Sequence, residues 1–295
     1  MSSSIFSKRI VSGLVAGMFG LIVVGVGGIW FTFALGLIVH LALLEYFRMT
    51  EFAGIRPATK TTLLACQILL ITTYFDTQGL FPKELANAVV PLSGAAICGW
   101  LLLQPLTGSI SDIATSIFGL FYLGYLPSYW IRLRNLSQID LFSSFHLISH
   151  LPTIFTVGFF ITLVSCLMIV ASDIGSYYFG RIFGKHPLTP VSPSKTVEGA
   201  VFGIVSSVAI GLLTGLFLKL GPIGILFVAM LGALVGFFSI VGDLIESMMK
   251  RDVGLKDSGN ALPGHGGVLD RIDSYIFTPA IVYFLIKLIM PLLPG

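Results

Sequence analysis

Residues 199–241 read GAVFGIVSSVAIGLLTGLFLKLGPIGILFVAMLGALVGFFSIV. Lys219 is the only charged residue of this stretch and ends the first of two apolar runs, 197–219 and 223–241. About 20 consecutive apolar residues are enough for a helix to cross a bilayer, so the stretch predicts two crossings. The whole chain agrees, since 55% of its 295 residues are hydrophobic and only 11% are charged. We therefore expect an all-α, polytopic integral membrane protein.

Seven further apolar segments bring the prediction to about nine transmembrane helices. The nine segments fall near residues 10–26, 28–47, 61–75, 88–103, 113–131, 153–172, 197–219, 223–241 and 274–293. The first resembles a signal peptide, but no small-residue cleavage site leads into a soluble domain, so we interpret it as a span. The chain shows no convincing internal repeat, which weakens the alternative of a transporter built from repeated halves.

The distribution of lysine and arginine predicts the orientation, because cytoplasmic loops carry an excess of both residues. With the N-terminus in the cytoplasm, twelve basic residues lie on the inner side and four on the outer side. The inner set comprises Lys8, Arg9, Arg48, Arg56, Lys60, Arg181, Lys185, Lys195, Lys250, Arg251, Lys256 and Arg271. The outer set comprises Lys83, Arg132, Arg134 and Lys219. We therefore expect a multi-pass protein of the plasma membrane or inner membrane of the cell. In this topology both polar blocks described next face the cytoplasm.

A first polar block, SDIGSYYFGRIFGKHPLTPVSPSKTVEGAVFG, covers residues 172–203. Asp173 ends the predicted sixth span, at a depth where a carboxylate is costly unless it is paired or bound to a metal. Ser194, Lys195 and Thr196 stand at the start of the next helix, with Glu198 close behind. Hydroxyls, a lysine and free backbone N–H groups at a helix N-terminus can bind an anion. A simple helix cap with a cytoplasmic lysine explains this block equally well.

A second polar block at residues 242–273 holds ten of the 31 charged residues in the chain (17 basic and 14 acidic). Asp243 and Glu246 are three residues apart, which places them on one helix face, and Lys250 lies a further turn along. Asp270 and Asp273 repeat the spacing at the start of the last span. Pairs of carboxylates one turn apart can share a hard cation that also binds substrate phosphates.

Helix capping and surface solvation account for some of these acids, but not for all. They explain Asp252 and Asp257 well. They explain Asp243, Asp270 and Asp273 poorly, because each adjoins an apolar span, where acids are functional by default. The second block therefore predicts phosphate chemistry through a metal bridge.

The residues 247–273 fit the pattern SxxKRxxxxKDxGxxLPxHGGVxDRID. This pattern resembles the signature of the phosphatidate cytidylyltransferases, also called CDP-diacylglycerol synthases. SPSKTVEG at 192–199 and DIGSYYFGR at 173–181 are similar to upstream motifs of that family, in the same order and at a similar spacing. Ser176 stands where many members have alanine. The resemblance is strong over about residues 170–275 and only topological in the N-terminal half.

The resemblance implies transfer of CMP from CTP to phosphatidate, giving CDP-diacylglycerol and pyrophosphate, as a step of phospholipid biosynthesis. It implies a Mg²⁺ cofactor, with a monovalent cation such as K⁺ as a further possibility, and a homodimer that binds no nucleic acid. We divide the chain accordingly into N-terminal transmembrane helices at 1–150, for scaffold or dimer contacts, and a C-terminal catalytic region at 151–295.

The expected residue roles follow from the two polar blocks and the resemblance. The expected metal ligands are Asp243, Asp270 and Asp273, with Asp173 and Glu246 as further candidates. The expected catalytic set adds the cations Lys250, Arg251 and Lys256. The expected substrate-binding residues are Ser194, Lys195, Thr196, Glu198, Asp257, His265, Gly266, Gly267 and Arg271.

Three other functions compete with this interpretation. A CDP-alcohol phosphotransferase needs an Asp-Gly-x-x-Ala-Arg run that the chain lacks. A CTP-dependent polyprenol or dolichol kinase has related nucleotide motifs, but it would yield lipid phosphate and CDP. A transporter or scaffold predicts acids buried in mid-span, whereas the acids of both polar blocks lie at predicted span ends.

Overall fold

The fold is described from a computed structural model for residues 17–136, 156–259 and 266–289 and residue 292. Helices account for the regular structure of these residues, and no β-strand occurs among them. The expected all-α class is therefore confirmed. Six of the described helices are long and apolar enough to cross a membrane. They are Gly28–Phe52, Leu85–Leu102, Val157–Phe183, Val197–Phe217, Pro222–Asp252 and Leu269–Ile289.

The predicted count of nine spans is not confirmed, for a different reason at each of three segments. The predicted span 10–26 lies partly outside the described residues, and its described part is the short helix Gly17–Val26. The helix Thr59–Thr77 is long enough, but Lys60 and Asp76 lower its hydropathy. The predicted span 113–131 falls on three shorter helical elements instead of one long helix.

The chain divides into two compact units, of which the first comprises Met1–Asn135 and Asp252–Arg271. Its described helices are α1 (Gly17–Val26), α2 (Gly28–Phe52), α3 (Thr59–Thr77), α4 (Lys83–Leu102), α5 (Ile110–Gly119), the π-helical turn Leu120–Tyr125 and α6 (Leu126–Arg134). The core of this unit is apolar and includes Leu43 and Phe47 of α2, Cys66 of α3 and Leu123 of the π turn, each at most 1% exposed. This core holds α2 in place, which matters for a glutamate that the helix carries.

Two arginines of α6 have specific partners within the first unit. The Arg132 guanidinium lies 3.0 Å from the Asp76 carboxylate at the end of α3. Arg134 is buried and donates from Nε to the Val24 carbonyl at 2.7 Å. Because the last carbonyls of a helix have no partner within the helix, Arg134 caps the C-terminus of α1. These arginines belong to the small outer set of the charge count, and both contacts stabilise the fold.

The second unit comprises Leu136–Arg251 and Ile272–Gly295. Its described elements are α7 (Val157–Phe183), α8 (Val197–Phe217), α9 (Pro222–Asp252, to Arg251 in this unit), the 3₁₀ turn Asp273–Tyr275, α11 (Thr278–Phe284) and the π turn Leu285–Ile289. A short helix, α10 (Leu269–Ile272), lies where the chain passes from the first unit to the second. The predicted boundary near residue 150 separates regions of different expected function and stays a prediction. The first boundary between the two compact units lies directly after Asn135.

Small residues allow α8 to pack closely against both of its neighbours. Its buried residues recur at every fourth position and are Gly199, Gly203, Ser207, Gly211 and Gly215. A side chain at Gly203 would meet the Ser172 carbonyl of α7, and one at Gly211 would collide with the Val228 carbonyl of α9. Small residues four apart form the usual contact surface of membrane helices, because backbones can then approach directly. This packing places the ends of α7 and α9 beside the loop before α8.

Candidate active site

Three carboxylates of the second unit meet near the C-terminal end of α9. Asp243 and Glu246 lie one turn apart on α9, and Asp273 begins the 3₁₀ turn. One oxygen from each carboxylate lies within 4.8 Å of the others. Glu246 and Asp273 are buried, whereas Asp243 is partly exposed. Buried carboxylates at this spacing repel one another unless cations compensate their charge. We call these three residues the acid cluster.

Two lysines compensate part of this charge. Lys195, from the loop before α8, forms an ion pair with Asp243. Lys250 lies one turn after Glu246 on α9, and its ammonium is 2.6 Å from the Glu246 carboxylate. Both lysines therefore lie beside the acid cluster, and the substrate role of Lys195 and the catalytic role of Lys250 stay predictions.

Asp173 of α7 is linked to the acid cluster through two serine hydroxyls. Its Oδ1 atom accepts a hydrogen bond from Ser239 at 3.1 Å and another from Ser274 at 3.4 Å. Ser239 precedes Asp243 by one turn on α9, and Ser274 directly follows Asp273. Four of the five expected metal ligands are thus neighbours in one unit.

The donor set fits a hard divalent cation. Oxygen ligands suit Mg²⁺, which binds through one or two carboxylates and keeps its other positions for water and substrate phosphates. Four carboxylates and two ammonium groups leave a net charge of −2, which one divalent ion would neutralise. Asp243 is 36% exposed in its side chain, so the cluster is accessible from one side. The acid cluster contains the residues that would hold the ion.

A glycine brings α9 close enough to Asp273 for the cluster to form. A Cβ atom at Gly242 would collide with the Asp273 carbonyl oxygen and approach its carbonyl carbon to 3.1 Å. Gly242 directly precedes Asp243, so the backbone contact and the carboxylate contact adjoin each other. The carboxylates can approach because the position before Asp243 has no side chain.

The loop between α7 and α8 is held largely by its own polar groups. Thr196 caps α8, since its hydroxyl accepts a hydrogen bond from the Gly199 N–H at 3.1 Å. The Glu198 carboxylate lies 2.6 Å from His186 Nδ1 and accepts the Lys185 N–H at 3.1 Å. Ser194 is exposed. Thr196 and Glu198 therefore shape the loop that carries Lys195, in addition to the substrate contacts predicted for them.

Asp270, the fifth expected metal ligand, belongs to the first unit. Its Oδ2 atom accepts hydrogen bonds from the Ser258 N–H at 3.0 Å and the Gly267 N–H at 2.8 Å. Gly266, directly before Gly267, has a φ of +79°, a conformation that favours glycine. Within the first unit the Gly267 amide, an expected substrate donor, has a partner in Asp270, and the metal role expected for Asp270 stays a prediction.

The remaining expected site residues are solvent-facing where the structure describes them. Arg251 of the second unit is exposed. Lys256, Asp257 and Arg271 of the first unit are exposed as well. His265 lies outside the described residues.

Comparison with known proteins identifies the family. The model of the cytidylyltransferase family matches residues 7–289. The chain belongs to the cytidylyltransferase family. It is 41% identical to the phosphatidate cytidylyltransferase of Synechocystis sp., covering 97% of this chain and 98% of the relative. It is 32% identical to the enzyme of that name from Bacillus subtilis, over 95% of this chain and 97% of the relative. Phosphatidate cytidylyltransferase 4, chloroplastic, from Arabidopsis thaliana is 36% identical over 97% of this chain and 74% of the relative.

The residues predicted from the sequence did not include one buried polar residue of this cytidylyltransferase family member. Glu45 of α2 is buried, and its carboxylate accepts hydrogen bonds from the Val268 and Leu269 N–H groups within the signature. The available signal was an acid inside the apolar run HLALLEYF, at residues 40–47, because such acids are functional by default. Its partners lie more than 200 positions further along the chain, and no local spacing indicates them.

Proposed function

We propose that this chain is a phosphatidate cytidylyltransferase, which transfers CMP from CTP to phosphatidate and releases pyrophosphate. The similarity to three relatives of that name, each over at least 95% of this chain, carries the proposal. The acid cluster with its two lysines supports it, since it lies at the ends of apolar helices where a lipid phosphate would meet a soluble nucleotide.

The transfer needs positioning and charge compensation more than it needs a covalent nucleophile. A phosphate oxygen of phosphatidate attacks the α-phosphorus of CTP, and the bond to the β-phosphate oxygen breaks as pyrophosphate leaves. Several negative charges must come together, and their repulsion is strong where water is excluded. A bound Mg²⁺ would supply charge neutralisation to the phosphates. In this proposal Asp243, Glu246 and Asp273 hold the ion, with Asp173 beside them.

The lysines and arginines would bind the substrates' phosphates. Lys195 and Lys250 already lie against the acid cluster, so each could contact an oxyanion there. The exposed cations Arg251, Lys256 and Arg271 suit the triphosphate, which arrives from water. A metal role for Asp270, a substrate role for His265, a monovalent cation and a homodimer remain predictions.

An assay of products tests the function. Purified protein in detergent is expected to convert cytidine-labelled CTP and phosphatidic acid into a lipid that carries the cytidine label, with pyrophosphate as the second product. The conversion is expected to stop when Mg²⁺ is removed by a chelator. Labelled CDP accompanied by an unlabelled phosphorylated lipid would identify a kinase instead. Absence of any product at all would refute both enzymatic functions.

We also propose that the chain crosses the membrane nine times with its N-terminus in the cytoplasm. The excess of lysine and arginine at one set of helix ends supports this orientation. The same orientation brings CTP, a cytoplasmic substrate, to the acid cluster.

Labelling of single cysteines tests the orientation. In a variant without Cys66, Cys98 and Cys166, a membrane-impermeant maleimide applied to intact cells is expected to label Gly221→Cys and to leave Lys185→Cys unlabelled. Both positions are exposed, so accessibility within the fold is matched. Labelling of Lys185→Cys alone would reverse the proposed orientation.

A further inference from the structure

Glu45 connects α2 to two segments of the signature, 256–259 and 266–271, within the first unit. Its Oε1 atom accepts the Val268 N–H at 2.9 Å, and its Oε2 atom accepts the Leu269 N–H at 2.8 Å. The Ser258 hydroxyl donates to Oε2 at 3.2 Å. The glutamate is only 5% exposed. A buried carboxylate with three donors around it is a stable arrangement, because its charge is compensated by hydrogen bonds.

Two glycines allow the backbone to reach this carboxylate. A Cβ atom at Gly259 would lie 2.8 Å from Glu45 Oε1, which is closer than van der Waals contact permits. A Cβ atom at Gly267 would collide with Glu45 Oε2 and with the Ser258 hydroxyl. The close approach of Glu45 therefore explains why glycine stands at these two positions of the signature.

Asp270 strengthens the same arrangement from within the signature. It accepts the Ser258 and Gly267 N–H groups, so Ser258 is bound by both acids, through its hydroxyl and through its backbone. The backbone at Ser258 and at 267–269 is thus fixed by the two acids. Lys256 and Asp257 directly precede the fixed residues, and Asp270 and Arg271 directly follow them.

We propose that Glu45 is a positioning residue for the cytidylyl transfer, acting through the charged residues of the two signature segments that it binds. The inference rests on the proposed function and adds to it a residue from the N-terminal half of the chain. The hydrogen bonds of Glu45 fix Ser258, Val268 and Leu269. The neighbouring cations Lys256 and Arg271 are thereby held in the positions from which they bind the nucleotide.

Glutamine is the decisive replacement because it keeps the size and removes one acceptor. The carboxylate offers an acceptor oxygen to each of the Val268 and Leu269 N–H groups, whereas an amide offers one oxygen and one donor NH₂. One N–H would then face another donor. With charge-assisted hydrogen bonds lost, Glu45→Gln is expected to reduce kcat/KM for CTP by about 100-fold. The reduction is expected mainly in KM, because the acid cluster is unchanged.

The control is Glu51→Gln, an exposed acid on the same helix, which is expected to keep the parental kinetics. Hydrogen exchange of the peptide at 256–271 provides a readout besides activity, and faster exchange is expected in Glu45→Gln but not in Glu51→Gln. Parental exchange together with parental KM for CTP would overturn the positioning role. If the parent itself makes no CDP-diacylglycerol, the proposed function fails, and unchanged exchange would separately refute the role of Glu45.

A second variant covers the case in which Glu45→Gln does not fold. Gly259→Ala leaves the glutamate in place and pushes a methyl group against its Oε1 atom. It is expected to raise KM for CTP and hydrogen exchange at 256–271, in the same direction as the glutamine variant. A folded Gly259→Ala protein with parental values for both would contradict the proposal.

Discussion

Replacing Asp273 with asparagine is expected to lower kcat for CDP-diacylglycerol formation by about 1,000-fold, or roughly 4 kcal/mol of transition-state stabilisation. Asp273 is buried, and an oxygen of its carboxylate lies within 4.8 Å of both Asp243 and Glu246. Asparagine has nearly the same shape but no charge, so packing is preserved while the site for a divalent ion loses one ligand. Steady-state turnover at saturating CTP and phosphatidate measures the effect.

The matched control for this variant is Asp252→Asn. Asp252 is an exposed acid at the end of α9, outside the acid cluster, and its replacement is expected to leave kcat within about twofold because surface changes seldom matter. Equal retention of secondary structure and monodispersity in both variants separates a catalytic from a folding defect. Turnover of Asp273→Asn above a tenth of the parental value would remove Asp273 from the metal site.

Local spacing was sufficient to predict that the two acids of α9 in the acid cluster lie next to each other. Asp243 and Glu246 are three residues apart, and residues at that spacing share a helix face. Their position beside an apolar run indicated a function, since acids are costly at the edge of a membrane. The all-α class followed from the apolar runs alone. The number of crossings was harder to predict, because the polar helix Thr59–Thr77 and the interrupted run at 110–134 do not fit a simple length and hydropathy rule.

Contacts between distant parts of the chain could not be predicted from spacing. Asp270 and Asp273 have the same i, i+3 spacing as Asp243 and Glu246, yet they belong to different units, and the acid cluster of the second unit contains Asp273. Asp270 accepts two backbone N–H groups, one of them from Ser258, twelve residues earlier. Glu45 binds backbone groups 223 and 224 positions away. Such pairings depend on how helices pack, and a single sequence gives no direct signal of that packing.

The structure changes the interpretation of the glycines most. Gly266 and Gly267 were expected to bind substrate, a role that stays a prediction. In the first unit Gly259 and Gly267 leave room for the Glu45 carboxylate, and in the second unit the glycines of α8 leave room for α7 and α9. Where a neighbouring backbone or carboxylate lies directly against a glycine, a side chain at that position would displace the neighbouring group. Gly242 is the position where such a displacement bears directly on the acid cluster.

Gly242→Ala is expected to reduce kcat by at least about 100-fold, because a small misplacement of reacting groups costs that much. The added methyl group would collide with the Asp273 carbonyl, so α9 and the 3₁₀ turn must separate and the distance between Asp243 and Asp273 must increase. Gly99→Ala is the matched control, since a Cβ atom at that helical position of α4 meets no other atom within 4 Å. The loss is expected with all carboxylates retained, and raising Mg²⁺ is expected to recover part of it by refilling a weakened site. If Gly242→Ala matches Gly99→Ala in kcat and in Mg²⁺ dependence, the close approach of α9 to Asp273 is not needed for turnover.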